Sequence, residues 1–242
     1  IDTLIIESTY GGRILPDREE IKKKFLDTIE ETIRKGGSVL IPAFSLGRSQ
    51  DILIMLSERK FKVPIFYDGM CIKIANKVLS IDDPYINNKK ILYRMVNNVV
   101  IHVSSKRRRD KAMSQQGIIV TTSGMIQGGP VISYITEMWH NPNNAVLLTG
   151  FQCKRTNGRH LLEEGFVYLD GWKTIVKCRV EKFDFSGHAD QNDLKEIITR
   201  INPKRIIFQH GDPEEIQPIM EWANAQGKYK VHAPELGEEI EI

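Results

Sequence analysis

Short apolar runs alternate along the chain with stretches whose apolar residues recur every three or four positions, the two periods of a strand and of an amphipathic helix. The first run covers residues 3–6. Asp17 with Glu20 then has the form of a capping box, and Ile21, Phe25, Ile29 and Ile33 follow at helical spacing until Gly36-Gly37 ends them. Residues 38–42 read as a buried strand, 49–59 as a helix, and 63–67 as a strand running into Asp68-Gly69-Met70. The rhythm resumes with strands at 99–103 and 117–122, a helix at 131–140 and a strand at 145–149. Residues 182–185 read as a strand before a helix that carries Leu194, Ile197, Ile198 and Ile201, capped by Asp190 and stopped by Asn202-Pro203. A strand at 205–209 leads to a helix at 213–226, with Pro213 in its first turn and Gly227 as its cap. Strands at 228–233 and 239–242 close the pattern. Such alternation predicts an α/β fold with a mainly parallel sheet. Neither a repeat nor a low-complexity linker marks a domain boundary.

With 242 residues, 41% of them apolar, the chain has material for a real core in one large domain or two smaller ones. Its 34 Lys and Arg against 31 Asp and Glu leave a net charge of +3, too mild to imply a polyanionic partner. One local run, Lys106-Arg107-Arg108-Arg109-Asp110-Lys111, reads equally well as a solvated loop and as a nucleic-acid contact. Cys71, Cys153 and Cys178 are odd in number and widely spaced, which disfavours a disulfide framework and a thiolate zinc site and makes a reducing cytoplasm the expected location. No apolar run approaches the roughly 18 residues of a membrane helix, so no membrane partner is expected. The chain begins at Ile1 inside a strand-like run, from which we expect that residues precede it.

The candidate chemistry lies where strand-like runs end, the edge at which open α/β sheets bind ligands. His188, in Phe185-Ser186-Gly187-His188-Ala189-Asp190, and His210, in Phe208-Gln209-His210-Gly211-Asp212, each follow an apolar run and precede a helix. Each turn offers backbone N–H groups suited to an anion such as phosphate. Glu7, in Glu7-Ser8-Thr9-Tyr10-Gly11, stands at the end of the first run, and a carboxylate brought to the same rim can orient a histidine for acid catalysis. The turn over residues 121–129, with Ser123-Gly124, and the turn at 42–50, with Arg48, also join strand to helix and could contact phosphate. Arg159 is a further candidate. For either arginine alone, surface or structural pairing is the slightly better reading.

Taken together and in order, these motifs resemble the β-CASP branch of the metallo-β-lactamase superfamily, over essentially the whole chain. Glu7-Ser8-Thr9-Tyr10-Gly11, the Ser186-Gly187-His188 segment and His210-Gly211 match its three β-CASP motifs. Asp68-Gly69-Met70, Ser123-Gly124-Met125 with Gly128-Gly129-Pro130, and Gly150-Phe151-Gln152 with Thr156-Asn157-Gly158-Arg159 look most like archaeal homologues of the polyadenylation-factor nuclease. The resemblance implies a zinc-dependent endoribonuclease acting on single-stranded RNA, with two zinc ions in the intact enzyme. It implies His210 as a zinc ligand, His188 as general acid, Glu7 as the carboxylate that orients His188, and Ser186, Ser123 and Gly124 as holders of substrate phosphate. It further implies a β-CASP domain over 14–170 inserted between metallo-β-lactamase segments 1–13 and 171–242, with the active-site cleft between them.

Three departures shape the expectation. The family's His-x-His-x-Asp-His motif, later histidine and bridging aspartate are absent, which fits an N-terminally truncated chain that does not stably hold a metal pair by itself, because a catalytic zinc needs three protein ligands. Arg155 stands where the subgroup usually has glycine. Asp184 replaces a histidine of the RNase J proteins, which disfavours their 5′ exonuclease action. The alternatives are that exonuclease, a non-catalytic RNA-binding scaffold subunit, and a phosphodiesterase of small substrates. A homodimer and an RNA-processing complex are expected from the resemblance alone.

Overall fold

The computed structural model describes residues 1–84 and 86–240. In chain order its elements are β1 (Thr3–Glu7), α1 (Arg18–Arg34), β2 (Val39–Pro42), α2 (Arg48–Leu56), β3 (Ile65–Asp68), α3 (Met70–Ser80), α4 (Lys89–Arg94), a π-helical turn (Met95–Val99), β4 (Ile101–Val103), α5 (Lys106–Met113), β5 (Ile118–Thr121), α6 (Pro130–Met138), β6 (Ala145–Leu148), α7 (Asn157–Glu164), β7 (Phe166–Leu169), β8 (Trp172–Ile175), β9 (Arg179–Lys182), α8 (Gln191–Ile201), β10 (Arg205–Gln209), α9 (Pro213–Ala225) and β11 (Lys230–His232). They form two compact units, one from residues 1–17 with 186 onward, the other from Arg18–Phe185. Among the described residues no helix is long and apolar enough to cross a membrane.

The first unit is a parallel sheet in the order β1-β10-β11, registered Glu7 to Gln209 and Ile207 to His232. Its core joins Ile6, Ile206 and Phe208 to Leu194 and Ile198 of α8 and Ile219 and Ala223 of α9. Those helical pairs are four residues apart, which places each pair on one helix face. Asp190 opens α8 with a capping box: its side chain accepts the Asn192 and Asp193 amides at 2.8 and 3.0 Å, and Asp193 accepts the Asp190 amide at 3.1 Å. The other Asp190 oxygen accepts the Leu15 amide at 3.0 Å, and Tyr10 pairs with Asp190 in an isolated parallel bridge. The expected cap is therefore also a clamp on the segment that leaves β1. Asn202, left-handed at φ 46°, ends α8.

The second unit is a six-stranded parallel sheet in the order β4-β3-β5-β2-β6-β9, accompanied by the antiparallel hairpin β7-β8. β2, β3, β5 and β6 are buried along their whole lengths, the mark of a sheet covered on both faces. Alternate residues serve two cores. Val39, Ile41, Ile118, Val120, Ala145 and Leu147 pack with Phe25, Ile29 and Leu53, while Leu40, Ile119, Val146 and Leu148 pack with Tyr134, Ile135 and Leu161.

Several expectations are corrected. The strand at 182–185 lies earlier, as β9, which pairs with β6; Phe183 and Phe185 leave the ladder and seat their rings edge-on at 5.2 and 5.3 Å from Phe25. The apolar alternation there reports core packing, not strand pairing. The basic run at 106–111 is helix α5, capped by Ser105, and not a loop. Of the strand expected at 239–242, residues 239 and 240 are irregular, and 241 and 242 lie outside the described residues. Helices α3, α4 and α7 and the β7-β8 hairpin stand where no element was expected. The hairpin β7-β8 and β9 lie in the compact unit 18–185.

Replacing Asp190 by Ala should destabilise the protein by about 1–2 kcal/mol in denaturant melts, with Asn recovering most of the loss, since both acids and amides cap helices well. Burial pushes the Asp190 carboxyl up, but the amides of Asp193, Leu15 and Asn192 outweigh it and leave the pKa below 3.8. Its contribution is thus complete above about pH 4 and lost as pH falls through the depressed value, a dependence that Asp190→Asn should not show.

Candidate active site

The site grows from the parallel pairing of β1 and β10, which end side by side. Beyond β10 the chain turns sharply at His210, left-handed at φ 54°. Gly211 follows, and a Cβ there would lie 2.5 Å from the Ser8 carbonyl oxygen, so only glycine lets the two exit loops touch backbone to backbone. That contact sets Thr9 against His210. The Thr9 hydroxyl donates to the His210 carbonyl at 3.1 Å and lies 3.2 Å from His210 Nδ1.

His188 arrives by a different route. It lies in the irregular segment between β9 and α8, beyond any strand end, and is drawn in by the Tyr10–Asp190 bridge and by the Ala189 amide, which donates to Glu7 Oε1 at 3.0 Å. Its Nδ1 lies 3.3 Å from Thr9 Oγ1 and 3.5 Å from Glu7 Oε2. The His188 and His210 rings stack at 5.3 Å with 29° between planes, and Tyr10 meets His188 edge-on at 6.4 Å.

Glu7 holds this cluster together electrostatically. Oε2 accepts the Thr9 amide at 2.7 Å and Oε1 the Ala189 amide. Partial burial raises the carboxyl pKa, but hydrogen bonds from Thr9 and Ala189, with His188 alongside, more than offset it and hold the group below 4.5. Glu7 is therefore an anion at neutral pH.

Glu7, His188 and His210 each offer one donor atom within 4.8 Å of the others. Two imidazoles and a carboxylate suit zinc by ligand type. Both Glu7 oxygens, however, already accept backbone amides, which leaves the two rings as the better donors. The cluster fits one part of a zinc site.

The remaining predicted residues divide. Ser186 is in the same unit, with its hydroxyl committed to its own turn: it accepts the His188 amide at 2.8 Å and donates to the His188 carbonyl at 3.0 Å. With the Ala189 and Asp190 amides bound to Glu7 and Asp193, the N–H groups expected to face an anion there are engaged, a correction to the sequence reading. Ser123, Gly124, Arg48 and Arg159 belong to the larger unit, the first two in the connection after β5, Arg48 at the start of α2 and Arg159 within α7. Ser123 Oγ accepts the Gln127 amide at 3.1 Å, and Gly124 lies so close to Phe44 that a Cβ would meet its amide nitrogen at 3.0 Å. Gln152 ties Gly124 to Gly150 through their carbonyls, and the Gly158 amide donates to Met125. Arg48 pairs with Asp51 at 2.7 Å and Arg159 with Glu163 at 2.6 Å, each on its own helix. Arg155, at φ 66°, takes the backbone conformation that glycine favours. In the basic run, Arg109 reaches buried Asp68 with two hydrogen bonds, and Tyr134 donates to the same carboxylate at 2.9 Å. Thr9 is the participant that the sequence reading did not single out.

Residues 49–161 match the Beta-Casp domain, and residues 174–234 match the Zn-dependent metallo-hydrolase RNA specificity domain. The chain belongs to the β-CASP family. The second match contains His188 and His210. Similar to this β-CASP chain are a protein named Probable RNase MJ4 from Methanocaldococcus jannaschii, 38% identical over 100% of this chain and 57% of that protein, and one named RNase aCSPSF2 from Saccharolobus solfataricus, 35% identical over 100% and 48%. A protein named Transcription termination factor FttA from Pyrococcus horikoshii is 33% identical over 88% of this chain and 36% of its own length. The chain thus spans about half the length of the first two. A crystal structure of a protein of unknown function from Enterococcus faecalis shares the fold at TM-score 0.54 and 12% identity, over 99% of this chain and 51% of its own.

Replacing Glu7 by Gln leaves one oxygen to serve two amides. Hydrogen exchange at Thr9 or Ala189 should quicken, with a stability loss of about 1–3 kcal/mol at neutral pH. Because the Glu7 pKa is lowered, that difference should persist above about pH 4.5 and shrink as pH falls through the folded value.

Proposed function

We propose that this chain comprises the β-CASP domain and the flanking metallo-β-lactamase segments of a zinc-dependent endoribonuclease that hydrolyses phosphodiester bonds of single-stranded RNA in RNA processing or decay. The observation that carries the reading is the convergence of Glu7, His188 and His210 at the mouth of one small sheet, within a family described as Zn-dependent metallo-hydrolase. His210 offers a ring nitrogen as a metal ligand. His188 gives a proton to the leaving oxygen, and Glu7 holds its ring in orientation. Zinc, when bound, activates water and neutralises charge on the phosphoryl oxygens. Two ions are proposed for the intact enzyme, with further ligands from outside this chain, and segments 1–13 and 171–242 are assigned to its metallo-β-lactamase domain. Ser186, Ser123, Gly124, Arg48 and Arg159 are proposed to contact substrate phosphate, the arginines by exchanging the carboxylates they now hold. The cytoplasm, a homodimer and an RNA-processing complex complete the reading.

In the full-length protein, His188→Ala should lower cleavage of a labelled single-stranded RNA at least about 100-fold, the lower range for loss of a general acid, with zinc content unchanged. His210→Ala should lower both. Loss of zinc in the first variant would overturn the assignment of His188, and unchanged zinc in the second would remove His210 from the coordination shell. A wild-type protein that binds RNA and cleaves none would be the scaffold subunit instead.

A further inference from the structure

Thr9 has one hydroxyl proton and two lone pairs, and the structure places around its oxygen the His210 carbonyl, the Glu7 carboxylate and the Nδ1 atoms of His188 and His210. The His210 carbonyl, at 3.1 Å, and the Glu7 carboxylate can only accept, so the proton goes to one of these two. His188 Nδ1 at 3.3 Å and His210 Nδ1 at 3.2 Å then meet lone pairs, and each contact is a hydrogen bond only if the ring brings its own proton. Glu7 strengthens this count on one side. Its Oε2 lies 3.5 Å from the same His188 nitrogen, and an ionised carboxylate offers no proton.

We propose that Thr9 is a positioning residue whose hydroxyl holds His188 and His210 together with a proton on Nδ1 of each ring, leaving Nε2 of His210 as the lone-pair atom for a divalent metal and Nε2 of His188 as the atom that carries the proton given to the leaving oxygen. This deepens the ribonuclease reading and rests on it for the use made of Nε2. Ring position and tautomer are set by one atom, because the Thr9 oxygen also grips the backbone of His210, where the left-handed turn fixes the direction of the side chain. Neighbouring Ser8 cannot substitute, since it is fully buried. Tautomer control by the partner of the other ring nitrogen is the usual way in which a protein prepares a histidine ligand.

The test needs neither metal nor RNA. Long-range nitrogen–proton NMR spectra of the metal-free ¹⁵N-labelled chain at about pH 8, where histidine is ordinarily neutral, identify the tautomer of each ring. Wild type and Thr9→Ser should show Nδ1–H at both residues. In Thr9→Val, His210 should revert to Nε2–H, the form that free histidine favours, while His188 keeps part of its Nδ1–H population through Glu7. Nε2–H at His210 in the wild type, or Nδ1–H retained there in Thr9→Val, overturns the proposal. Should the valine variant lose its dispersed spectrum, Thr9→Ala makes the same comparison. In the full-length protein Thr9→Val should weaken zinc binding about 10- to 100-fold, as loss of a partner behind a ligand does, and Ser should restore it. Correct tautomers in a protein that cleaves no RNA would refute the ribonuclease reading and leave the role of Thr9 in place.

Discussion

The carboxylate of Glu7 is the constraint on which the rest of the site depends. Its two oxygens take amides from opposite ends of the chain, Thr9 two residues onward and Ala189 at a sequence separation of 182. A neutral acceptor could fill one of those places. An anion fills both, because hydrogen bonds to a charged acceptor are shorter and stronger. The same anion lies beside Nδ1 of His188, so one group fixes the loop that carries the histidine and the electrostatic field around its ring.

The two units use parallel strands for different ends. In the larger sheet the central strands are apolar throughout and make a scaffold between two cores, with loops at their carboxyl ends that interlock through Gln152, Asn157 and closely packed glycines. In the smaller unit a sheet of three strands carries Glu7 at the end of β1 and His210 just beyond β10, while His188 lies in the irregular segment before α8. Fixed hydrogen bonds tie these segments: Asp190 on the Leu15 amide, Arg13 on Glu215, and Glu7 on its two amides. Polar groups at this density keep their directions only while each has its partner.

Much of this was legible in the sequence, for identifiable reasons. Buried parallel strands announce themselves as unbroken apolar runs, and β2, β5, β6 and β10 were read within a residue or two. Glu7, His188 and His210 were recognisable because each belongs to a motif. Helices α3 and α7 were not, since each is short, 11 and 8 residues, and opens on a glycine-bearing stretch that reads as a turn, Asp68-Gly69-Met70 in one case and Thr156-Asn157-Gly158-Arg159 in the other. Phe183 and Phe185 imitated a strand because core packing and strand pairing share the same alternation. Thr9 stayed hidden for another reason. A threonine after an acidic residue is commonplace, and its significance lies in two partners at sequence separations of 179 and 201.

The same separations govern when the site can come into being. The larger unit lies wholly between residues 18 and 185 and is complete in sequence before His188 is made. β1, by contrast, waits through the synthesis of that entire unit for its only described neighbour, β10, and loop closure of that length is slow relative to local folding. During translation the chain therefore carries a finished scaffold and an unassembled set of reactive groups. The histidines meet only after residue 210 has cleared the ribosome, so whatever chemistry they perform is withheld from every shorter nascent chain.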